Sequence, residues 1–245
     1  MNSRRVVVVD GTGVSMPDTM ANQLVWPQQR HQKAGCGFPQ AAICACFCLQ
    51  TGALLSPKVG NKKSHELPML REQWDTFKPS DIFLGDKGFC SYFDLSSFKD
   101  RSVDSVITLA RRIPVTEVEA VEVLGNDDLL IHWKKPARSK ASSYSQADWE
   151  ALPETLLLRQ IKVSVNQSGF QNPWLLYHHH VTGCKVYTAD ALADLYFQRW
   201  DVELFFRDIK TTIGMDILRC KTPDMVRKEI VMPLIAYNCI RYLAS

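Results

Sequence analysis

The chain lacks any uncharged apolar run approaching the 18 residues that a membrane span needs. Its opening stretch has only four consecutive valines before Asp10, too short an apolar core for a secretion signal, so the cytoplasm is the expected compartment. Glycine and proline, at 12 each among 245 residues, show no excess over ordinary usage, which excludes collagen-like repeats and low-complexity linkers. No CxxC pair is present among the eight cysteines, so neither a zinc ribbon nor a disulfide scaffold is indicated. Cys44, Cys46 and Cys48 alternate on one strand face and are expected to be buried reduced thiols, while consecutive His178, His179 and His180 point to opposite faces and cannot grip one ion. Charge of one sign is also missing: 29 basic against 26 acidic residues leave +3, which permits a nucleic-acid partner without demanding one. What remains is a 46% hydrophobic chain able to bury a sizeable core.

The β-branched run Arg4 to Val9 reads as a strand that stops at the turn Asp10-Gly11-Thr12. Gln40 to Leu49 and Ala53 to Val59, joined by Thr51-Gly52, read as a hairpin. Leu67, Leu70, Trp74 and Phe77 keep a helical spacing up to Pro79. Asp81 to Asp86 is a short strand ending in an aspartate, followed by a helix over Ser91 to Lys99 and a strand over Ser102 to Leu109. Between residues 111 and 187 the pattern changes to strands at Val118 to Leu124, Leu129 to Trp133, Leu156 to Val165 and Asn172 to Tyr177, with a polar loop from Lys134 to Ser145. Thr188 then opens an unbroken helix over Ala189 to Thr212, and a last helix covers Met225 to Leu243, bent at Pro233. The order implies a mixed α/β sheet flanked by helices. Residues 1–110 and 188–245 form its core, and 111–187 is a β-rich insertion subdomain ahead of the long helix.

That helix carries Tyr196, Arg199, Glu203 and Lys210 at offsets of three, seven and fourteen residues. At about 100° per residue the four fall within about 60° of one another, one polar stripe on an otherwise apolar helix. A solvated face with an Arg199–Glu203 pair would explain the stripe alone, at about 0.3–0.5 kcal/mol. Asp10 and Asp86, each at the tip of a strand, change the reading. Two aspartates and a glutamate supply hard oxygens for a pair of Mg²⁺ ions in phosphoryl transfer. Arg199 and Lys210 then supply cations for phosphate, and Tyr196 a hydroxyl.

The spacing Tyr196, two residues, Arg199, three residues, Glu203, six residues, Lys210 resembles the signature of transposases of the insertion-sequence-4 family. Phe83-Leu84-Gly85-Asp86-Lys87-Gly88-Phe89 is similar to that family's second-aspartate motif, and Val6 to Thr12 to its first-aspartate strand. Phe38-Pro39-Gln40 and Leu152-Pro153-Glu154-Thr155 resemble further segments common in these enzymes. The resemblance implies a ribonuclease-H-like catalytic domain in which Asp10, Asp86 and Glu203 hold two Mg²⁺ or Mn²⁺ ions. It also implies DNA cleavage and strand transfer at the ends of a mobile element, with Tyr196, Arg199 and Lys210 on the DNA phosphates. Double-stranded DNA at transposon ends is the implied partner, met by a homodimer at the nucleoid. In relatives the β-rich insertion handles a DNA hairpin through a stacking aromatic, a role for which Trp133, Trp149 and Trp174 are candidates beside plain core packing. The family carries a DNA-binding region ahead of its first catalytic strand, so a truncated catalytic core is the expectation here. The alternatives are a structure-selective nuclease of the same chemistry and a catalytically silent DNA-binding form. The run Tyr177 to Cys184 departs from the family pattern in a way that two compensating frameshifts would produce.

Overall fold

The computed structural model describes residues 4–29, 32–33, 35–61, 66–109, 113, 115–138, 144–162, 174–178 and 187–244. In chain order the strands are β1 (Val6–Ser15), β2 (Gln40–Cys48), β3 (Leu54–Asn61), β4 (Ile82–Gly85), β5 (Asp104–Leu109), β6 (Val118–Gly125), β7 (Asp128–Lys134), β8 (Thr155–Lys162) and β9 (Trp174–His178). The helices are α1 (Met20–Val25), α2 (Glu66–Arg71), α3 (Tyr92–Asp100), α4 (Gln146–Glu150), α5 (Ala189–Gln198), α6 (Asp201–Arg207) and α7 (Pro223–Ala244). They form a mixed α/β structure in two compact units: Met1–Val7 with Phe77–Arg199, and Val8–Thr76 with Trp200–Ser245.

In the first unit the strands lie in the order β4-β5-β9-β8-β7-β6. Only β4 and β5 are parallel, Ile82 facing Asp104 and Gly85 facing Ile107. Antiparallel β9 continues from β5, with Tyr177 opposite Val106, so the strands of the 111–187 segment extend the sheet begun by residues 82–109. Phe83 stacks on Phe98 of α3 with ring centres 4.5 Å apart, and Phe77 meets Phe98 edge-on. Ser91 caps α3, accepting from the Asp94 N–H. The polar loop ends in a short helix that periodicity does not reveal: Ser145 and Asp148 make reciprocal bonds that start α4. Residues 163–165, 172–173 and 179–184, on which parts of two expected strands and the unusual histidine run fall, lie outside the described residues.

In the second unit the order is β3-β2-β1. The hairpin is as expected: Ile43 faces Val59, and Gly52 takes the left-handed backbone (φ +68°) that its turn requires. Cys44, Cys46 and Cys48 are buried thiols outside any disulfide, as their pattern implies. Phe47 sits among Phe205, Phe206 and Tyr237 at ring-centre distances of 5.5, 5.2 and 6.2 Å, so β2, α6 and α7 share one aromatic core. Pro223 begins α7 at the helix position that tolerates its missing N–H. Val226, Ile230, Leu234 and Tyr237 form the buried stripe of α7.

Three expectations need correction. β1 does not stop at Asp10; it runs on to Ser15, with Asp10 to Gly13 half-buried and Val14 buried again. Strand neighbour β2 and the bonds from Leu218 N–H to Ser15 O and from Met16 N–H to Pro39 O hold a segment whose composition reads as a turn. The helix expected up to Pro79 ends at Arg71, where buried Gln73 turns its amide back to donate to the carbonyls of Cys44 and Met69. The long helix is interrupted after Gln198. Across the join the Arg199 N–H bonds to Tyr196 O and the Glu203 N–H to Trp200 O, three residues back instead of four.

Candidate active site

Asp86 stands just past the C-terminal end of β4, beside parallel β5, the strand end at which open α/β sheets bind ligands. Its Oδ1 accepts from the Gly88 N–H at 2.7 Å, a local bond that fixes the carboxylate at the first turn after the strand and leaves it half-buried. Gly88 is tight here, since a Cβ on it would lie 3.0 Å from the same oxygen.

Tyr196 and Arg199 belong to the same unit as Asp86. Tyr196 is buried on α5, and the Arg199 guanidinium lies 5.9 Å from the centre of its ring. Among the described residues the buried Arg199 Nε has no hydrogen-bond partner, a donor suited to an anionic oxygen.

Asp10, Glu203 and Lys210 belong to the other unit. Asp10 lies in the middle of β1 where burial gives way to partial exposure, its Oδ1 accepting from the Gly11 N–H at 2.8 Å. Glu203 is exposed on α6, whose opposite face buries Val202, Phe205 and Phe206. Lys210 is not on an α-helix. It sits in a π turn, Asp208–Thr212, so an angular reckoning at 3.6 residues per turn does not carry through to it. Its Nζ donates to Gly13 O at 3.2 Å and to Thr12 Oγ1 at 3.4 Å. The end of the glutamate-bearing segment is thereby tied to β1 two and three residues beyond Asp10. The polar stripe inferred from the sequence is therefore divided among two α-helices and a π turn.

One acidic group near Asp10 has no signal in the sequence. A Cβ on Gly11 would fall 2.0 Å from Glu66 Oε1, so the Glu66 carboxylate fills the space a side chain on Gly11 would take, on the strand face opposite to that of the Asp10 side chain. The nearby Cys44 thiol is pushed up to about 12, first by burial and then by the charges of Glu66 and Asp10, so it stays protonated. That leaves oxygen donors only.

Among the described residues, no three His, Cys, Asp or Glu side chains are grouped closely enough to hold a metal ion. Carboxylates such as Asp10, Asp86 and Glu203 offer the kind of oxygen that suits Mg²⁺, which keeps several waters and takes one or two carboxylates together with substrate phosphates. Among the same residues no helix is long and apolar enough to cross a membrane.

Residues 1–239 match the family described as Transposase DDE domain. The chain is 26% identical over 241 residues to the transposase InsG of insertion sequence element IS4 from Escherichia coli (strain K12), a match covering 97% of this chain and 51% of that protein. A shorter similarity, 38% over 56 residues, links 23% of the chain to 15% of a probable transposase of insertion sequence element IS5377 from Geobacillus stearothermophilus. In structure it resembles piggyBac transposase, solved by cryo-electron microscopy as a synaptic complex with hairpin DNA. The TM-score is 0.52 at 9% identity, covering 96% of this chain and 46% of that one, a likeness of fold. The chain thus spans about half the length of the relatives it matches end to end. A match over nearly the whole sequence, joined to the Tyr196-Arg199-Glu203-Lys210 spacing, places this chain in the DDE transposase family, among transposases of the insertion-sequence-4 type.

Proposed function

We propose that the chain is the catalytic part of a DNA transposase, cutting and joining DNA strands at the ends of an insertion sequence with two Mg²⁺ or Mn²⁺ ions. In this reading residues 1–110 and 188–245 make a ribonuclease-H-like core, and 111–187 is its β-rich insertion. Asp10, Asp86 and Glu203 are the metal ligands and catalytic acids. The observation that carries the reading is the bond pair from Lys210 to Thr12 and Gly13, which ties the glutamate segment to the first-aspartate strand.

Bound divalent ions would supply Lewis acidity to the attacking and leaving oxygens of an in-line phosphoryl displacement. The chain's own side chains account for binding and orientation. Arg199, its guanidinium placed against the Tyr196 ring, retains a buried donor for a phosphate oxygen, and Tyr196 contributes a hydroxyl beside it. Lys210 adds positive charge while bracing β1, so its loss disturbs both phosphate binding and the placement of Asp10. Glu203, exposed and borne by a helix with a buried aromatic face, can be neutralised without affecting packing. Double-stranded transposon ends are the substrate, met by a homodimer at the nucleoid.

The test is Mg²⁺- or Mn²⁺-dependent nicking of the element's own terminal DNA by the wild-type chain and by Glu203→Gln, with folding checked by circular dichroism. Loss of one ligand is expected to cost several kcal/mol of transition-state stabilisation, at least about 10³-fold in rate. Equal nicking by both proteins would remove the enzymatic reading. DNA binding without nicking by the wild type would indicate a catalytically silent form.

A further inference from the structure

One aromatic ring lies against the chain on both sides of Asp86. β4 ends at Gly85, which is buried and faces Ile107 of β5. Asp86 then caps the 3-10 turn Lys87–Phe89, its carbonyl accepting from the Phe89 N–H at 3.1 Å. Phe83 shares a strand face with position 85 and leans over the bare Gly85 backbone. A Cβ there would lie 2.7 Å from Phe83 Cζ, 3.1 Å from its Cε1 and 3.3 Å from Phe89 Cβ. The ring cannot give way: it is fully buried, stacked on Phe98 at 4.5 Å and met edge-on by Phe77 and Phe89 at 5.9 and 6.1 Å. Phe89 is fully buried as well, which holds the turn after Asp86 against that ring. Gly85 has no left-handed backbone angle, so the close approach alone calls for glycine.

We propose that Gly85 is a positioning residue for Asp86: its missing side chain lets Phe83 and Phe89 lock the end of β4 to the following turn, and that lock sets the direction in which the Asp86 carboxylate leaves the sheet. This rests on the reading of Asp86 as a metal ligand and adds the packing that aims it. With the aromatic cluster immobile, a Cβ at position 85 displaces backbone instead of side chain, and the displacement falls on the peptide that joins Gly85 to Asp86. The carboxylate moves with it, and so does the 2.7 Å bond that it accepts from the Gly88 N–H. The competing role is plain packing, in which Gly85 matters to stability alone.

The experiment compares the full wild-type chain with Gly85→Ala, with Gly85→Ala combined with Phe83→Leu, and with Asp86→Asn. Two quantities are read beside thermal unfolding: the Gly88 amide proton resonance of isotope-labelled protein without metal or DNA, and Mn²⁺-dependent nicking of the element's terminal DNA. Nicking is measured well below each melting temperature, where a role in packing alone leaves the rate per folded molecule unchanged. Gly85→Ala should move the Gly88 resonance upfield, as the bond to the carboxylate weakens, and slow nicking about 10²-fold, the cost of misplacing a reacting group by about 1 Å. Phe83→Leu removes the ring tip that the new methyl group meets. The double variant should therefore regain most of the nicking and the native Gly88 resonance, although it lacks a core ring and melts below the wild type. A Gly85→Ala protein that does not fold, that keeps the wild-type resonance or rate, or that gains nothing from Phe83→Leu would overturn the proposal in favour of packing. If Asp86→Asn nicks like the wild type, or the wild type does not nick, the reading of Asp86 as a ligand is what fails. The Gly88 resonance, read without metal, then decides the positioning role by itself.

Discussion

The first unit buries its acids against bases, whereas the second holds the ion pairs Lys58–Glu72, Arg227–Asp224 and Arg241–Asp208 nearer the surface. In the first, acids meet bases: Arg159 forks onto Asp128 with bonds of 2.8 and 2.6 Å and also donates to Tyr187 O, Arg5 forks onto Asp81, and Arg4 reaches Asp104. In the second, the Glu66 carboxylate occupies the space that a side chain on Gly11 would take. Matched pairs fix strands in register, since Asp128 and Arg159 lie near one another on β7 and β8. Matched pairs also leave little electrostatic reason for an ion to come.

The largest expected effect comes from breaking a matched pair. Arg159→Met leaves Asp128, itself only 9% exposed, without its main partner and should cost about 3–5 kcal/mol. In a chain of this size that lowers the melting temperature by on the order of 10 °C, measurable by circular dichroism. Adding Asp128→Leu should recover most of the loss, because an apolar pair of similar volume replaces a desolvated ionic one. If the single variant melts like the wild type, the pair is ornamental and the contrast between the units collapses.

Much of this organisation is legible in the sequence, for reasons that can be named. Thr51-Gly52 between two apolar runs marks the hairpin because a left-handed residue is needed there. Ser91 and Thr188 mark helix starts because their hydroxyls accept otherwise unpaired N–H groups. The break after Gln198 is invisible: no glycine or proline marks it, and Leu192, Leu195, Phe206 and Ile209 stay buried on either side, so the apolar period survives. Asp10-Gly11-Thr12 misleads because turn composition is outweighed by pairing with β2, a contact that local sequence cannot encode. Glu66 is missed for the same reason; its neighbour Gly11 is distant in the chain, and only the fold brings them together. Asp86 is legible as a strand-end aspartate because β4 is short, apolar and followed by Lys87-Gly88.

A second way to sharpen the contrast uses pH. The thiols of Cys44 and Cys90 are both pushed up to about 12, in each case first by burial, and then by Glu66 and Asp10 for Cys44 but by Asp94 for Cys90. A thiol raised in the folded state contributes stability that is complete below its unfolded value. As the pH rises from that ordinary value, about 8.5–9, towards 12, this stability is lost by at most about 1.4 kcal/mol per pH unit for each thiol. Cys44→Ala and Cys90→Ala should each flatten the alkaline limb of a stability–pH curve. Glu66→Gln should flatten it modestly through Cys44, leaving the Cys90 contribution in place. A limb unchanged by Glu66→Gln would mean that the carboxylate is not felt at β2.

A smaller local effect is expected at α4. Ser145→Ala removes the hydroxyl that accepts from the Asp148 N–H and should cost about 1 kcal/mol, read as earlier hydrogen exchange in residues 146–150. The Asp148 carboxyl is held below the usual carboxylate range by its bonds from Ser145, so its contribution is present above the unfolded value and is lost as the pH falls through the folded one.

The smallest effect carries the most information, because its sign separates the two kinds of acid. Asp10→Asn keeps the shape of the side chain and its acceptor for the Gly11 N–H, and it removes one negative charge. Without divalent ions the variant should unfold at the same urea concentration as the wild type or slightly above it, a gain below about 1 kcal/mol. Asp128→Asn, tested beside it, should lose stability because Arg159 is then left short of a charged partner. Millimolar Mn²⁺ should raise the wild-type midpoint and leave that of Asp10→Asn nearly fixed, since only a folded state that binds the ion is stabilised by it. If Asp10→Asn instead loses as much as Asp128→Asn, Asp10 is a structural acid after all.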